Sequence, residues 1–244
     1  MFVYPGYPDL PLTKLTIKLE RLGQRCLIAP MIDMFNAQST FLKTHEESSL
    51  PEKIYPNYMP AYIRFFSSDQ YPYMGVRGGA REYFFGKSLL EVSKQRSTNL
   101  RKIPLIFCED GNEYLTVHTT KILPPSDLTG ALLHFKINGY LPNHAKEEVS
   151  RREHFEGAIE YRAYNSAFSI GFPTNTSTTN ISSWSGVGQL YREGIVSCPE
   201  NWMRFIEKKG CEISSYTKNE QDQLSPLCLW PSIAELVKNK MSVF

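Results

Sequence analysis

A helical pattern followed directly by a long apolar run constrains the fold of this chain more than any other feature. Residues 12–22 carry leucine at every third or fourth position, and Gly23 follows as a helix stop. The next run, Cys26–Phe35, is mostly apolar and has the length of a strand. Because a helix that leads into a buried strand is typical of layered proteins, the sequence predicts an α/β fold with helices packed on a mixed sheet.

The segment of residues 102–164 has the pattern of three strands followed by one long helix. His118 lies on the second predicted strand, and His134 lies near the end of the third. The helix is predicted to begin at about residue 144 and to bury one side. Its inward stripe is predicted to consist of Phe155, Ile159 and Ala163.

Composition limits the class of protein. With 244 residues the chain is long enough for one large domain, or for one domain with a tail. Its 27 basic and 25 acidic residues give a net charge of +2, so nucleic acid is not predicted as a partner. The five cysteines form no closely spaced pair, and no apolar run approaches the roughly 20 residues that span a bilayer. These features predict a cytoplasmic protein without a transmembrane segment.

Two neighbouring stretches are candidates for ligand contacts. Residues 36–72 are polar, rich in Pro and Tyr and without clear periodicity, which predicts a long irregular loop. After them, the paired glycines Gly78 and Gly79 lie between Arg77 and Arg81. Glycines let backbone amides approach an anion closely, and arginines bind phosphate in a fork geometry. The alternative is a tight turn between strands with solvated arginines.

Three polar residues lie in predicted strands. Asp33 interrupts the apolar run, where a carboxylate must be paired or must lie at an open end of the sheet. It is either a structural cap or a site carboxylate. His118 and His134 suit Mn²⁺-like or Zn²⁺-like ions and acid/base chemistry, although a lone strand histidine is more often structural. The residues alone leave these alternatives open.

A series of short motifs runs in a fixed order through residues 1–168. In chain order they are Asp33-Met-Phe, Gly78-Gly79-Ala-Arg81, Lys102-Ile-Pro-Leu, Tyr114 with His118, Gly130-Ala-Leu-Leu-His-Phe-Lys136, Glu147 and Glu148, Arg152, His154, and Glu160-Tyr161. In this order they resemble the C-terminal half of the bacterial family 2 glycosyltransferases. Each motif is short, but their joint order is fairly specific.

The resemblance implies a partial GT-A fold, in which a Rossmann-like α/β domain binds a nucleotide-sugar and a divalent metal, Mn²⁺ or Mg²⁺. Such enzymes transfer the sugar to a hydroxyl of a saccharide acceptor, here of the surface-polysaccharide type. The metal is held by an Asp-x-Asp motif, often with a histidine, and that role carries over to His118, with His134 as the alternative. Asp33 is the implied catalytic carboxylate. The implied substrate-binding residues are Arg77, Gly78, Gly79, Arg81 and Lys102.

The sequence departs from this family in its metal-binding motif, because no Asp-x-Asp occurs anywhere in it. The opening residues, Phe2-Val-Tyr4-Pro5, resemble the segment that follows this motif in relatives. We therefore expect a truncated enzyme that carries the acceptor-side half. Its nucleotide-sugar-binding half would be missing or would be a separate polypeptide, and the chain as written would be inactive alone.

Three regions follow from this interpretation: a transferase-like domain at 1–168, a linker rich in Ser, Thr, Asn and Gly at 169–190, and a loop-rich helical tail at 191–244. Two alternatives stay open. One is a non-catalytic carbohydrate-binding or scaffold remnant that uses the aromatic residues of 55–85, and the other is a decayed gene product that folds poorly. Dependence on a metal would distinguish the enzyme from the remnant.

Overall fold

The computed structural model describes residues 1–38, 50–67, 72–95, 98–109, 111–116, 118–121, 128–171 and 181–211. Its strands are β1 (Phe2–Val3), β2 (Cys26–Phe35), β3 (Asn57–Tyr58), β4 (Ala61–Ser67), β5 (Pro72–Gly78), β6 (Arg101–Ile106), β7 (Tyr114–Thr116), β8 (Thr119–Thr120), β9 (Ala131–His134) and β10 (Ser182–Ser183). Its helices are α1 (Leu12–Arg21), α2 (Pro51–Ile54), α3 (Gly79–Ser93), α4 (Leu141–Arg151), α5 (Phe155–Ile170), α6 (Val187–Arg192) and α7 (Glu200–Glu207). The predicted α/β class is confirmed.

The chain divides into two compact units, and both are discontinuous in sequence. Unit 1 contains Met1–Met31, Arg101–Leu132 and the described residues of 185–211, and unit 2 contains Ile32–Leu100 and Leu133–Trp184. The predicted boundaries after residues 168 and 190 remain predictions. Parts of the predicted linker and tail, residues 172–180 and 212–244, lie outside the described residues. No helix in the described part of the chain has both the length and the apolar character needed to cross a membrane.

Unit 1 is built on a mixed sheet. β1 pairs antiparallel with β9, with Phe2 opposite Leu132, and β2 pairs antiparallel with β6. A parallel bridge joins Ile28 to Thr129. Gly130 follows, and a Cβ at this position would lie 2.7 Å from a ring carbon of Phe2. The close approach of β1 therefore requires glycine there.

Helix α1 is the helix that the leucine pattern predicts. Leu15 and Leu19 are buried, whereas Leu12 and Leu22 at its two ends are exposed. Gly23 has φ +65°, the left-handed conformation that ends helices. The apolar stripe is therefore buried only in its middle.

Unit 2 packs three helices around an apolar core, and both α3 and α4 contact α5. The ring centroids of Phe85 on α3 and Tyr164 on α5 lie 4.3 Å apart. Met34 and Phe35 at the end of β2 pair antiparallel with β3, which pairs with β10. β4 and β5 form an antiparallel hairpin of seven residue pairs. This core and its strands position the polar side chains described below.

The predicted irregular loop at residues 36–72 is wrong for residues 50–67. This part contains α2, β3 and β4. β3 and β4 are stabilised by pairing with β2 and β5, which lie outside residues 50–67. The sequence of residues 50–67 alone therefore does not reveal these two strands.

The predicted single helix from about residue 144 is also wrong, because two helices occupy this stretch. α4 ends at Arg151, the next residue, Arg152, has φ +58°, and α5 begins at Phe155. The first turn of α5 is left-handed at three consecutive residues, Glu156, Gly157 and Ala158. Phe155 is 79% exposed and therefore does not belong to an inward stripe.

Candidate functional site

The polar groups of unit 2 gather around one buried arginine, Arg81. The group comprises Asp33, Arg81, His134, Lys136, Glu160 and Tyr164, and we call it the Arg81 network. All six residues belong to unit 2. They come from β2, α3, the end of β9 and α5, so the fold joins segments that are distant in sequence.

The glycine pair places Arg81 in the first turn of α3. Gly78 ends β5 with φ +98°, and Gly79 begins α3 with φ +66°. Glycine adopts these left-handed conformations without the steric penalty of a Cβ atom. The motif is therefore a junction between a strand and a helix, not the alternative turn between two strands.

Arg81 binds two carboxylates with its guanidinium fork. Its Nε and Nη2 donate to Oδ2 and Oδ1 of Asp33 at 3.0 and 2.8 Å. Its Nη1 donates to Oε1 of Glu160 at 2.7 Å and to Oγ1 of Thr98 at 3.0 Å. Only 1% of the Asp33 side chain and 5% of the Arg81 side chain are exposed. Bidentate geometry of this kind gives the strongest arginine–carboxylate contacts.

This arrangement keeps both acids ionised. Burial alone would raise the pKa of Asp33, but Arg81 and His134 hold it well below its usual range. Burial likewise opposes ionisation of Glu160, yet Arg81, Lys136 and the Tyr164 hydroxyl lower its pKa to about 2. The positive groups therefore outweigh the desolvation of both carboxylates.

His134 connects the buried pair of Asp33 and Arg81 to the surface. Its Nδ1 lies 2.7 Å from Oδ1 of Asp33 and 3.4 Å from Nη2 of Arg81, and 35% of its side chain is exposed. Because the ionised Asp33 carboxylate can only accept, the short contact to Asp33 assigns the proton to Nδ1, and the longer approach of Arg81 is not a hydrogen bond in this tautomer. The Nε2 atom then carries the lone pair, and it has no hydrogen-bond partner among the described residues.

Lys136 supplies a second cation from the turn after β9. Its Nζ lies 3.7 Å from Oε2 of Glu160 and 4.0 Å from the ring centroid of Tyr161. Burial lowers the pKa of Lys136, although Glu160 opposes this shift. Tyr164 donates its hydroxyl to Oε1 of Glu160, and burial raises the pKa of that hydroxyl well above its usual value.

The structure brings together three of the residues that the sequence suggested separately. Asp33, Arg81 and His134 meet in the Arg81 network. Arg77 directly precedes the two glycines of the junction, and its Nη2 donates to Oε1 of Gln95 at 3.1 Å. Gly78 and Gly79 act here through their backbone conformation.

Lys102 and His118 lie in unit 1. The sequence placed His118 on a strand, which is wrong: it lies in the turn between β7 and β8. Its Nδ1 donates to the carbonyl oxygen of Arg101, and its Nε2 lies 3.4 Å from Nζ of Lys102. Both ring nitrogens of His118 therefore face protein groups. The Arg101 side chain in turn donates to the backbone carbonyl oxygen of His118 at 2.6 Å.

Three members of the Arg81 network were not selected from the sequence as site residues. Glu160 and Tyr164 are four residues apart on α5, a spacing that brings side chains together on one helix face. Lys136 lies two residues after His134, inside the motif from Gly130 to Lys136 that contributes to the family resemblance. Their partners lie up to 79 residues away, and no local pattern indicates those contacts.

A second polar cluster of unit 2 surrounds Glu148, which is also buried. It comprises His144, Glu148, Arg151, His154 and Tyr161, and we call it the Glu148 cluster. Arg151 donates to Oε1 of Glu148 at 3.0 Å. Nε2 of His154 lies 2.9 Å from Oε2, but Oε2 has no hydrogen bond of acceptable geometry in the described part of the chain.

The described residues do not fit the divalent metal that the resemblance implies. No group of three or more His, Cys, Asp or Glu side chains among them is arranged to hold an ion. Between Asp33 and Glu160 the central cation is the Arg81 guanidinium, which occupies carboxylate oxygens that a metal would need. His134 Nε2 is a single donor, and one donor is not a site.

Comparisons with protein-family models, with curated proteins and with solved structures gave no match to this chain.

Proposed function

We propose that this chain is the acceptor-side part of a GT-A-type glycosyltransferase, which transfers a sugar from a nucleotide-sugar to a hydroxyl of a saccharide. The observation that carries the proposal is the convergence of Asp33, Arg81 and His134. These residues are separated by 48 and 53 positions along the chain, and the resemblance names all three as site residues. A purely structural ion pair would not need the partly exposed His134 as its third member.

The division of roles follows from exposure. Asp33 and Arg81 are buried and fix the geometry, whereas His134 and Glu160, at 35% and 25% exposed, are the members that a substrate can reach. Tyr161 and Tyr164 lie beside Lys136, but both rings are buried, so they position that cation and offer no face to a ligand.

The nucleotide-sugar would be bound mainly by groups outside this sequence. The absence of an Asp-x-Asp motif from the sequence supports this part of the proposal. Any divalent ion would take its carboxylates from the same donor-binding half, and we derive no step through it. A separate polypeptide that carries this half is therefore the partner that we propose.

A cytoplasmic location is part of the proposal. Cys26, Cys108, Cys198 and Cys211, which are the cysteines in the described part of the chain, are all free. Free thiols are usual in a reducing compartment, where nucleotide-sugars would have to be available to the enzyme.

The first experiment measures saccharide binding by the chain itself on an array of bacterial surface oligosaccharides. We expect selective binding without nucleotide, and we expect the substitution His134→Asn to weaken or lose it. His144→Asn is the matched control, because His144 is a similarly exposed histidine of the same unit outside the Arg81 network.

The second experiment measures release of nucleoside diphosphate from UDP- and GDP-sugars with the bound saccharide as acceptor. The donor-binding polypeptide is added with Mn²⁺ in one arm and left out in the other. Release that requires both polypeptides supports the transferase. Saccharide binding without release in either arm would favour the non-catalytic binding module, and no saccharide binding would contradict the proposal as a whole.

A further inference from the structure

Within the Arg81 network, one nitrogen has a lone pair that no described group uses. It is Nε2 of His134, on the far side of the ring from Asp33. We infer that His134 Nε2 accepts the proton of the acceptor hydroxyl during sugar transfer, and that Asp33 and Arg81 are positioning residues for this base. The inference rests on the proposed function, and it replaces the carboxylate base that the resemblance implies.

Asp33 is poorly placed to be the base itself. Its Oδ2 accepts from Nε of Arg81, and its Oδ1 accepts from Nη2 of Arg81 and from Nδ1 of His134. With 1% of its side chain exposed, no substrate hydroxyl reaches either oxygen. A base must come within hydrogen-bond reach of the proton that it removes.

Glu160 is occupied in a similar way. Its Oε1 accepts from Nη1 of Arg81 and from the Tyr164 hydroxyl, and its Oε2 faces Nζ of Lys136. Arg81 and Lys136 also lower its pKa to about 2, which makes it a weak proton acceptor at neutral pH. His134, whose side chain is 35% exposed, is thus the member of the network with a basic nitrogen that no described group occupies.

The charges around His134 suit a group that gains a proton and then loses it. Asp33 and Glu160 carry two negative charges, and Arg81 and Lys136 carry two positive charges, so the network is neutral when His134 is neutral. Asp33 at 2.7 Å stabilises an imidazolium, whereas Arg81 at 3.4 Å opposes it. The hydrogen bond to Asp33 therefore supports the charged intermediate.

The proposed step balances as follows. The acceptor hydroxyl gives its proton to Nε2 of His134 while its oxygen forms the new bond to the anomeric carbon of the donor sugar. The bond between that carbon and the phosphate oxygen breaks, and the nucleoside diphosphate leaves with the electron pair. The imidazolium, held by Asp33 through Nδ1, then returns its proton to solvent.

The tautomer of His134 is tested on the chain alone by long-range ¹H–¹⁵N correlation NMR of the imidazole rings at neutral pH. We expect Nδ1 to be protonated in the wild type and expect this preference to weaken in Asp33→Asn. A ring protonated at Nε2 would overturn the inference. Mn²⁺ titration in the same sample is the second arm, and selective broadening of His134 by Mn²⁺ alone would overturn it in favour of a metal ligand.

Kinetics test the role of the base in the two-polypeptide reaction. Removal of a general base lowers rates by about 10²- to 10⁴-fold, so we expect His134→Gln to lower kcat, measured at saturating acceptor, at least about 100-fold. Asp33→Asn should also lower kcat, but by less than His134→Gln, because the ring loses the hydrogen bond that fixes Nε2 as the proton acceptor. His144→Gln should leave kcat unchanged.

The outcomes separate the two proposals. If the wild type transfers sugar and His134→Gln retains kcat, the assignment of the base is wrong while the proposed function stands. If no preparation transfers sugar, the wild type included, the proposed function is contradicted, and with it the inference that rests on it.

Discussion

Asp33 and Glu148 are both carboxylates buried in unit 2 beside histidines, yet their surroundings differ in every other respect. Both oxygens of Asp33 are bonded, and its cation, Arg81, is 5% exposed. Glu148 has an exposed cation, Arg151 at 57%, and its Oε2 lacks a hydrogen bond among the described residues. Burial of an acid is therefore common to both clusters, and what distinguishes them is how completely the partners fix it.

The consequence for function concerns orientation. In the Arg81 network the acid is held by a bidentate fork, so it can in turn fix one tautomer of His134. In the Glu148 cluster two histidines, His144 and His154, approach one carboxylate from distances of 3.8 and 2.9 Å. The buried Tyr161 ring packs against both imidazoles, but in the described part of the chain neither imidazole meets a carboxylate that is fixed by a buried arginine. A defined proton acceptor requires the first arrangement.

The largest expected effect is loss of the buried cation. Arg81→Met leaves the buried carboxylate of Asp33 without its cation and removes one partner of the partly exposed Glu160, and breaking a buried pair in this way costs about 3–5 kcal/mol. The measurement is urea unfolding followed by circular dichroism at pH 7. Arg151→Met is the control in the Glu148 cluster and should leave the unfolding midpoint nearly unchanged, because Arg151 is solvated.

If Arg81→Met does not fold, Arg81→Lys decides the same question. It keeps the charge but loses the fork, so its stability should lie between those of the wild type and the methionine variant. Equal stability of Arg81→Lys and the wild type would mean that bidentate geometry contributes nothing, which would contradict the distinction between the two clusters.

The next comparison changes the two acids themselves. Asp33→Asn removes the charge opposite a buried guanidinium and should lower the free energy of unfolding by about 2–4 kcal/mol. Glu148→Gln should cost about 1 kcal/mol or less, because one of its oxygens has no hydrogen bond to lose and Arg151 can turn into solvent. The same urea series measures both, and a larger loss for Glu148→Gln would reverse our ranking.

Acid unfolding gives a third test with a defined sign. The folded-state pKa of Glu160 is lowered to about 2, so the unfolded chain binds more protons between that value and its ordinary pKa near 4.3. Its contribution, about 3 kcal/mol, is present above pH 4.3 and is lost as the pH falls towards 2. Asp33, whose pKa is also lowered, adds to the same loss.

Two substitutions test that interpretation by stability measurements at intervals between pH 5 and pH 2. Glu160→Gln should flatten the dependence of stability on pH in this window. Tyr164→Phe removes a hydroxyl that donates to the ionised Glu160 and so raises the folded-state pKa of Glu160. The loss of stability should still begin near pH 4.3, but it should be smaller and be complete at a higher pH than in the wild type. An unchanged curve for both variants would mean that Glu160 is not held by these partners.

The sequence predicted those parts of the fold and site that depend on local pattern. The spacing of apolar residues predicts helix α1 and the whole of β2. Asp33 is the one charged residue in β2, which makes it a candidate site residue from the sequence alone. Glu160 lies 79 residues from its partner Arg81, and nothing in its own helix indicates that contact. His118 shows the opposite kind of error, because the alternating pattern around it predicts a strand and the residue lies in a turn. Contacts between distant segments decide the site, and local periodicity does not contain them.

The smallest expected effect compares the two left-handed turns beside the clusters. The turn that precedes Arg81 uses glycines, Gly78 and Gly79, at both positive φ angles. The turn beside the Glu148 cluster places Glu156, at φ +50°, in the same region next to Gly157. A residue with a Cβ atom pays roughly 1 kcal/mol for this conformation, whereas glycine does not.

Glu156→Gly should therefore stabilise the chain by up to about 1 kcal/mol, because Glu156 is exposed and loses no packing when shortened. Gly79→Ala should destabilise the chain by a similar amount, because it places a Cβ atom at a positive φ angle. Thermal unfolding of both variants beside the wild type shows whether the two changes in stability have opposite signs. If Glu156→Gly is destabilising instead, its backbone is not strained, and the contrast between a glycine-built turn at the Arg81 network and a strained turn at the Glu148 cluster is wrong.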